Sequence, residues 1–462
     1  MIDVERSELG EGRASLDALP GLTRRDFVVR AGTTLVGAST LGLLGTTVWA
    51  APRFPGVDEF DAEVATAWFD LSLDLVRTTA GFSPPVASRA FAFGGLTLYE
   101  ALVPGMKGFR SLGGALPGLA GFPATGRNQA YDWPTVANAA LAAVLRGLFP
   151  PAQSAVVTHL ETRLENSLRP GVPLGVFARS IGRGREVASA VFEWSKSDGG
   201  HEGYLRNFPP YTPPTGPGLW VPTPPGFASA LQPSWGGNRC LAIAGGADCP
   251  PSDHPPYSED PGSAFYGEAL EVYKTVRGLT PEQEEIARFW SDDPGQTATP
   301  PGHSISIATQ VLRAEDASLA SAAETYAKVG IAVCDAFIAC WYQKYIYNLL
   351  RPVTYIRRLF DPGWLSVLVT PPFPEYSSGH SVQSGAAFQV LTDLFGENYA
   401  FVDHTHDERG FAPRSFGSFF EAADEAAISR LYGGIHFRTA IVNGVIQGTC
   451  IGEAVSALPF QR

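Results

Sequence analysis

Positive charge is in short supply in this sequence. Lys and Arg total 34 against 46 Asp and Glu, a formal net charge of −12 over 462 residues. A phosphate backbone rewards a Lys/Arg surplus, so no nucleic-acid partner is expected. Cysteine is scarce as well: five, at positions 240, 249, 334, 340 and 450, too few for a dense disulfide framework. Cys240 and Cys249 lie nine apart in a Gly-rich loop, close enough to bridge in an oxidising compartment, while the other three fall in helical patterns and read as buried thiols. Past the first fifty residues no segment looks transmembrane. Convincing apolar/polar alternation is missing, and so is any internal repeat. With 45% hydrophobic and 17% charged residues, a large core is expected and disorder is not.

The first fifty residues read as a targeting segment. TRRDFVVRAG (23–32) carries twin arginines, an uncharged run follows from Thr33 to Trp49, and Ala50-Ala51-Pro52 offers small residues for cleavage. That order marks residues 1–50 as a twin-arginine signal peptide and implies bacterial export to the periplasm or beyond. A signal anchor competes, because the run nearly spans a bilayer, but its Gly and Thr favour cleavage. No membrane attachment is then expected of the mature chain.

Helical periodicity dominates the rest. Apolar residues recur at three- and four-residue steps over 62–79, 84–102, 133–149, 151–168 and 174–197, then over 279–290, 316–350, 381–395, 421–434 and 439–458. Between the two sets the composition shifts to Pro, Gly and aromatics, as in PPYTPPTGPGLWVPTPPGF. The expectation is an all-α protein built on two helix bundles. An N-terminal half covers 51–198, a Pro/Gly-rich connecting segment 199–265, and a C-terminal half 266–462. Long irregular segments of this kind tend to be functional or wrapping.

Three separated pieces carry chemistry. In WYQKYIYNLLRP, Lys344 and Arg351 are seven apart, two helical turns, so both are expected on one face, with Trp341 one turn earlier. No acid interleaves them as on a solvated face, and Pro352 discourages helix continuation. In PPFPEYSSGHSVQSG, Ser378 and Gly379 place a hydroxyl and an unobstructed N–H at a helix start, an anion-binding arrangement, with His380 beside them. In SRLYGGIHF, Gly433-Gly434 can turn the chain so that Arg430 and His436 meet. Singly each piece has a bland reading as cap, packing residue or ion pair. Together they suit a tetrahedral oxyanion better than a carboxylate.

The order Lys-x6-Arg-Pro, Ser-Gly-His, Ser-Arg-x5-His resembles the signature shared by vanadium-dependent haloperoxidases and type 2 phosphatidic-acid phosphatases. The stretches FWSDDPGQTATPPGH (289–303) and PPFPEYSSGH are similar to haloperoxidase segments. The resemblance implies a vanadate cofactor, with phosphate able to occupy the same place. His436 would bind vanadium. Lys344, Arg351, Arg430, Ser378 and the Gly379 N–H would hold the oxygens. His380 would be the acid–base, and Lys344 would polarise peroxide. Trp341 and Phe373 match positions near the halide site of fungal chloroperoxidases, and Asp293 or its neighbour Asp292 would pair with Arg430. Hydrogen peroxide and a halide are the implied substrates, with an organic acceptor and a homodimer left open.

Two departures stand out. Ser377 replaces the usual Pro before Ser-Gly-His, which should loosen the turn slightly. Ala440 replaces the Asp that commonly orients the metal-binding histidine, a loss expected to weaken a phosphatase nucleophile and so to favour vanadate chemistry. Other features carry less. HTHDE (404–408) has metal-ligand residue types but reads as solvated surface, and His201, His254 and His303 are isolated in the sequence. An acid phosphatase with His436 as nucleophile and a non-catalytic phosphate- or vanadate-binding protein are the alternatives. Retention of His380 and Lys344 speaks against the second, because simple anion capture needs neither.

Overall fold

The segment Leu319–Tyr347 is apolar on nearly every side, so it has no face to offer water and must be surrounded. The computed structural model describes residues 55–122, 124–126 and 129–461, and the leader-like segment 1–50 lies outside them. Thirteen α-helices follow in order among the described residues. They are α1 (Glu63–Thr78), α2 (Pro84–Leu102), α3 (Trp133–Leu148), α4 (Ser154–Leu168), α5 (Leu174–Ser195), α6 (Ala264–Arg277) and α7 (Pro281–Phe289). Then come α8 (Thr299–Ala314), α9 (Leu319–Tyr347), α10 (Pro352–Leu359), α11 (Gly379–Phe395), α12 (Phe419–Tyr432) and α13 (Arg438–Ser456). The described residues are all-α apart from one small antiparallel pair, β1 (Phe401–Asp403) and β2 (Arg414–Phe416), with Phe401 opposite Phe416.

Local chemistry sets the helix starts. Proline opens α2, α3, α7, α8 and α10, where its missing N–H costs nothing. Side chains of Asp132, Ser263, Thr280, Ser318, Ser378 and Ser418 cap α3, α6, α7, α9, α11 and α12. Tertiary packing then centres on α9. Helix α2, buried almost throughout, lies along it so closely that a Cβ on Gly95 would stand 2.2 Å from the Tyr326 carbonyl oxygen. Helix α11 packs against α9, α12 and α13, which carries its N-terminus into the interior.

Three helices are not marked by the periodicity: α6, α8 and α10. The last bears on the site. Helix α9 ends at Tyr347, where Asn348 turns left-handed (φ 47°), and Arg351 is the residue that precedes α10, with Pro352 at its first position. Lys344 and Arg351 therefore do not share one helical face, contrary to the seven-residue spacing. Both strands are three residues long, too short for alternation to register.

The Pro/Gly-rich segment braces the end of α9 and the loop before α11 with backbone bonds. Trp220 N donates to Asn348 O (2.7 Å), Leu350 N to Gly218 O (3.0 Å) and Leu231 N to Pro372 O (2.8 Å). Deeper in the core, the Asp335 carboxylate on α9 accepts the amides of Leu241, Ala242 and Ile243. This pins Cys240 inside as a buried free thiol, so the Cys240–Cys249 bridge does not form. Cys249 instead pairs with Cys450 of α13. No described helix is long and apolar enough to cross a membrane.

Candidate functional site

The end of α9, the loop into α10, the loop into α11 and the turn between α12 and α13 bring the three sequence pieces together. Lys344, Arg351, Ser378, Arg430 and His436 are all buried. Charge is expensive to bury, so each must be engaged. Arg351 donates from Nε to Phe373 O (2.8 Å) and from Nη1 to Ile435 O (2.9 Å), and Nη1 also lies 3.2 Å from His436 Nε2. Its Nη2 is buried with no hydrogen-bond partner among the described residues. Arg430 donates from Nη2 to the carbonyls of Trp290 (2.8 Å) and Ala287 (3.1 Å). Burial draws both guanidinium groups down to about 10.

Lys344 behaves differently. Its ammonium donates to the carbonyls of Pro374, Glu375 and Ser377. Those three bonds account for all three of its protons. In this conformation it braces the 374–377 loop, and burial lowers it to about 8, so it remains mostly protonated at neutral pH. The Phe373 ring lies under both cations, 5.1 Å from Lys344 Nζ and 4.8 Å from Arg351 Cζ. Trp341 packs on Phe373 at 4.8 Å and is anchored through Nε1 to Leu231 O of the Pro/Gly-rich segment (3.2 Å).

The Ser378-Gly379-His380 stretch starts α11 as its residue types require. Ser378 is the cap, Gly379 the first helical residue and His380 the next. The Ser378 amide donates to the Ala440 carbonyl (3.2 Å), tying this turn to α13. Gly379 is not crowded: a Cβ there would meet Trp341 at 3.7 Å and Phe337 at 3.8 Å, ordinary contacts. His380 Nε2 is buried without a partner, and burial and then Arg430 hold the ring well below its usual value, that is, neutral.

His436 reaches the same place because α12 stops at Tyr432 and Gly434 takes φ +74°, a conformation that favours glycine. Its Nδ1 is 2.8 Å from Glu375 Oε1, which also accepts the Phe437 amide at 2.8 Å. An oxygen already accepting an N–H makes the ring nitrogen the donor, which leaves Nε2 with its lone pair toward Arg351. Burial, then Arg351, Lys344, Arg430 and His380, hold His436 well below its usual value. Burial pushes Glu375 up to about 8, with Arg351 and Lys344 opposing. Whether Glu375 is charged or neutral, Lys344, Arg351 and Arg430 outweigh it.

Four buried acidic and histidine side chains in and near the site escape the sequence reading. Glu375 does what the absent Asp at 440 was expected to do, so Ala440 no longer argues against a histidine nucleophile. Its signal was an acid inside a Pro-rich, otherwise apolar loop. The others are His303, Asp403 and His406. His303, isolated in sequence, is fully buried between Asp292 Oδ2 (2.8 Å from Nδ1) and Asp403 Oδ2 (2.7 Å from Nε2). HTHDE divides in two. His404 and Asp407 pair at the surface, whereas His406 is buried with Nε2 3.1 Å from Asp292 Oδ1. Asp292 thus faces two histidines. Neither it nor the exposed Asp293 forms a salt bridge with Arg430, although the positive charge of Arg430 acts on Asp293.

The family model for the VCPO second helical-bundle domain matches residues 324–460. Vanadium chloroperoxidase of Curvularia inaequalis is 25% identical over 245 residues, 38% of this chain and 40% of that protein, so the match spans about two-fifths of the curated relative. The crystal structure of the first bacterial vanadium-dependent iodoperoxidase superposes with a TM-score of 0.80 at 37% identity, covering 87% of this chain and 97% of that one. A holo-type bacterial vanadium-dependent chloroperoxidase gives a TM-score of 0.65 at 18% identity over 83% of this chain and 93% of its own, a likeness of fold.

Proposed function

Because this chain belongs to the vanadium-dependent haloperoxidases, we propose that it oxidises a halide with hydrogen peroxide to a hypohalous-acid-like halogenating species, with vanadate as resident cofactor. The overall balance is halide plus peroxide plus one proton to hypohalous acid plus water. The observation that carries the reading is the pair of orphaned buried nitrogens, Arg351 Nη2 and His380 Nε2, beside a His436 whose Nε2 lone pair is fixed from behind by Glu375. A buried guanidinium N–H and a buried imidazole nitrogen without partners, next to a nitrogen ligand and excess cationic charge, fit a tetrahedral oxyanion bound through a metal.

His436 Nε2 would ligate the metal, while Arg351, Arg430, the Ser378 hydroxyl and the Gly379 N–H would hold the oxygens, and Lys344, whose protons are committed to loop carbonyls, would act on them through its charge. When bound, vanadate supplies Lewis acidity that makes peroxide oxygen electrophilic without itself changing oxidation state. His380, kept neutral by burial and Arg430, is poised to take a proton from hydrogen peroxide. Lys344 contributes fixed positive charge, and the Trp341–Phe373 pair walls that side with apolar surface suited to a poorly hydrated halide. Iodide is the most easily oxidised of the halides, and the 37%-identical bacterial relative is an iodoperoxidase, so iodide is the first substrate to test. The twin-arginine leader pattern and the Cys249–Cys450 disulfide support export to an oxidising compartment.

A second reading retains specific support. Glu375 orients His436 well enough for it to act as the covalent nucleophile of an acid phosphatase, with His380 protonating the leaving group. One comparison separates them. Protein loaded with orthovanadate should oxidise iodide in the presence of hydrogen peroxide, and brominate a phenolic dye when bromide is supplied. If phosphate monoesters are hydrolysed and vanadate only inhibits, the haloperoxidase reading is wrong.

A further inference from the structure

The cluster Asp292, His303, Asp403 and His406 lies outside the cradle, and nothing in the reaction above uses it. Its composition suggests a cation site, since Asp292, His303 and His406 place ligand atoms within 4.8 Å of one another. The geometry of His303 argues otherwise. Both ring nitrogens already sit 2.7–2.8 Å from carboxylate oxygens, so both carry protons and neither offers a lone pair. The central species is therefore an imidazolium held between two carboxylates. Consistent with this, the two acids raise His303 to about 10 despite its burial.

What this ion triplet holds is the segment before α8. Asp292 adopts φ 50°, a left-handed conformation unusual for a side-chain-bearing residue, and its carboxylate is the anchor of that turn. Two residues back, the Trp290 indole stacks on the His303 ring at 4.4 Å and 17°, and its Nε1 donates to Glu425 (2.9 Å). The carbonyl of Trp290 is the acceptor for Arg430 Nη2 at 2.8 Å and also acts on His380. The chain of contacts runs from Asp403 on β1 through His303 to Trp290, and from Trp290 to the guanidinium.

We propose that His303 and Asp403, with Asp292, are positioning residues for the oxyanion cradle: a buried carboxylate–imidazolium–carboxylate clamp that fixes the Trp290 carbonyl and through it the orientation of Arg430. The proposal rests on the cradle being a vanadate or phosphate site, and its test separates the two ideas. Orthovanadate affinity is measured by calorimetry on wild type, His303→Gln, Arg430→Ala and the double variant. The wild-type titration tests the cradle itself: no binding of vanadate or phosphate there removes the premise. His303→Gln should weaken vanadate binding about tenfold or more, as loss of a group supporting a binding residue does. In the Arg430→Ala background the same change should have almost no further effect, because the clamp acts through that arginine. A purely structural role would give equal losses in both backgrounds, or a lower melting temperature with vanadate affinity within twofold of wild type. Either result overturns the clamp. If His303→Gln does not fold, Asp403→Asn, which leaves the imidazole in place, goes through the same cycle. Glu100→Gln, a buried acid bound to Ser111 and Leu112, serves as the stability control.

Discussion

Glu375 Oε1 accepts the Nδ1 proton of His436 across 2.8 Å, so a side chain from the loop before α11 orients a ring from the turn before α13. Removing that acceptor frees the ring to rotate and change tautomer. Glu375→Ala should weaken orthovanadate binding about 10- to 100-fold, with Glu375→Gln less affected because its amide oxygen still accepts. Calorimetric titration of the three proteins checks the order, and equal affinity of Ala and Gln variants would contradict it.

His380 Nε2 has no hydrogen-bond partner among the described residues, so removing the ring breaks no bond from that nitrogen to another cradle group. His380→Ala should reduce peroxide-dependent iodide oxidation about 100-fold or more while vanadate affinity changes only a few-fold. A parallel collapse of binding and turnover would make His380 a ligand-holding residue instead of the proton handler.

At Gly379 a Cβ would make only ordinary contacts, 3.7 Å from Trp341 and 3.8 Å from Phe337. Gly379→Ala should therefore keep vanadate affinity within a few-fold and raise stability by up to about 1 kcal/mol, because alanine lowers the entropy of the unfolded chain and suits a helix. Chemical denaturation and vanadate titration on one preparation read both quantities.

The Cys249–Cys450 bridge closes a separation of 201 residues and ties the Pro/Gly-rich segment to α13. Reduction, or Cys450→Ser, should cost about 2–4 kcal/mol of stability. Thermal melts with and without reductant should differ for wild type and coincide for the variant.

Stability should also fall at alkaline pH. The folded-state pKa of His303 is raised from 6.5 to about 10, so its contribution is complete below about 6.5 and lost as pH rises through 10. Asp292 and Asp403 are lowered from 3.8, so theirs is present above that value and lost as pH falls. Unfolding free energy measured between pH 6.5 and 10.5 should decline in wild type and be flatter in His303→Gln. Parallel curves would show that His303 is not charged in the fold.

Much of the site was legible because its signals are local. A serine cap followed by glycine and histidine announces a helix start wherever it sits, and a Gly-Gly pair between Arg430 and His436 announces a turn. The spacing of Lys344 and Arg351 misled for an equally local reason. Seven residues imply one face only if the helix continues, and Asn348 ends it first. The carboxylates were harder still. Glu375 meets His436 across 61 residues and His303 meets Asp403 across 100, and no periodicity encodes such a contact. The Cys249–Cys450 pairing is of the same kind.

The sequence by itself determined the all-α class, most helix positions and the set of cationic and imidazole groups, since propensity, capping and apolar spacing act over a few residues. Tertiary structure alone decided which carboxylate serves which histidine, which cysteines pair, and that Lys344 braces a loop while Arg351 and His380 keep unpartnered nitrogens. Those outcomes depend on burial, which raises the cost of every unpaired charge and so selects partners by proximity in space, not in sequence.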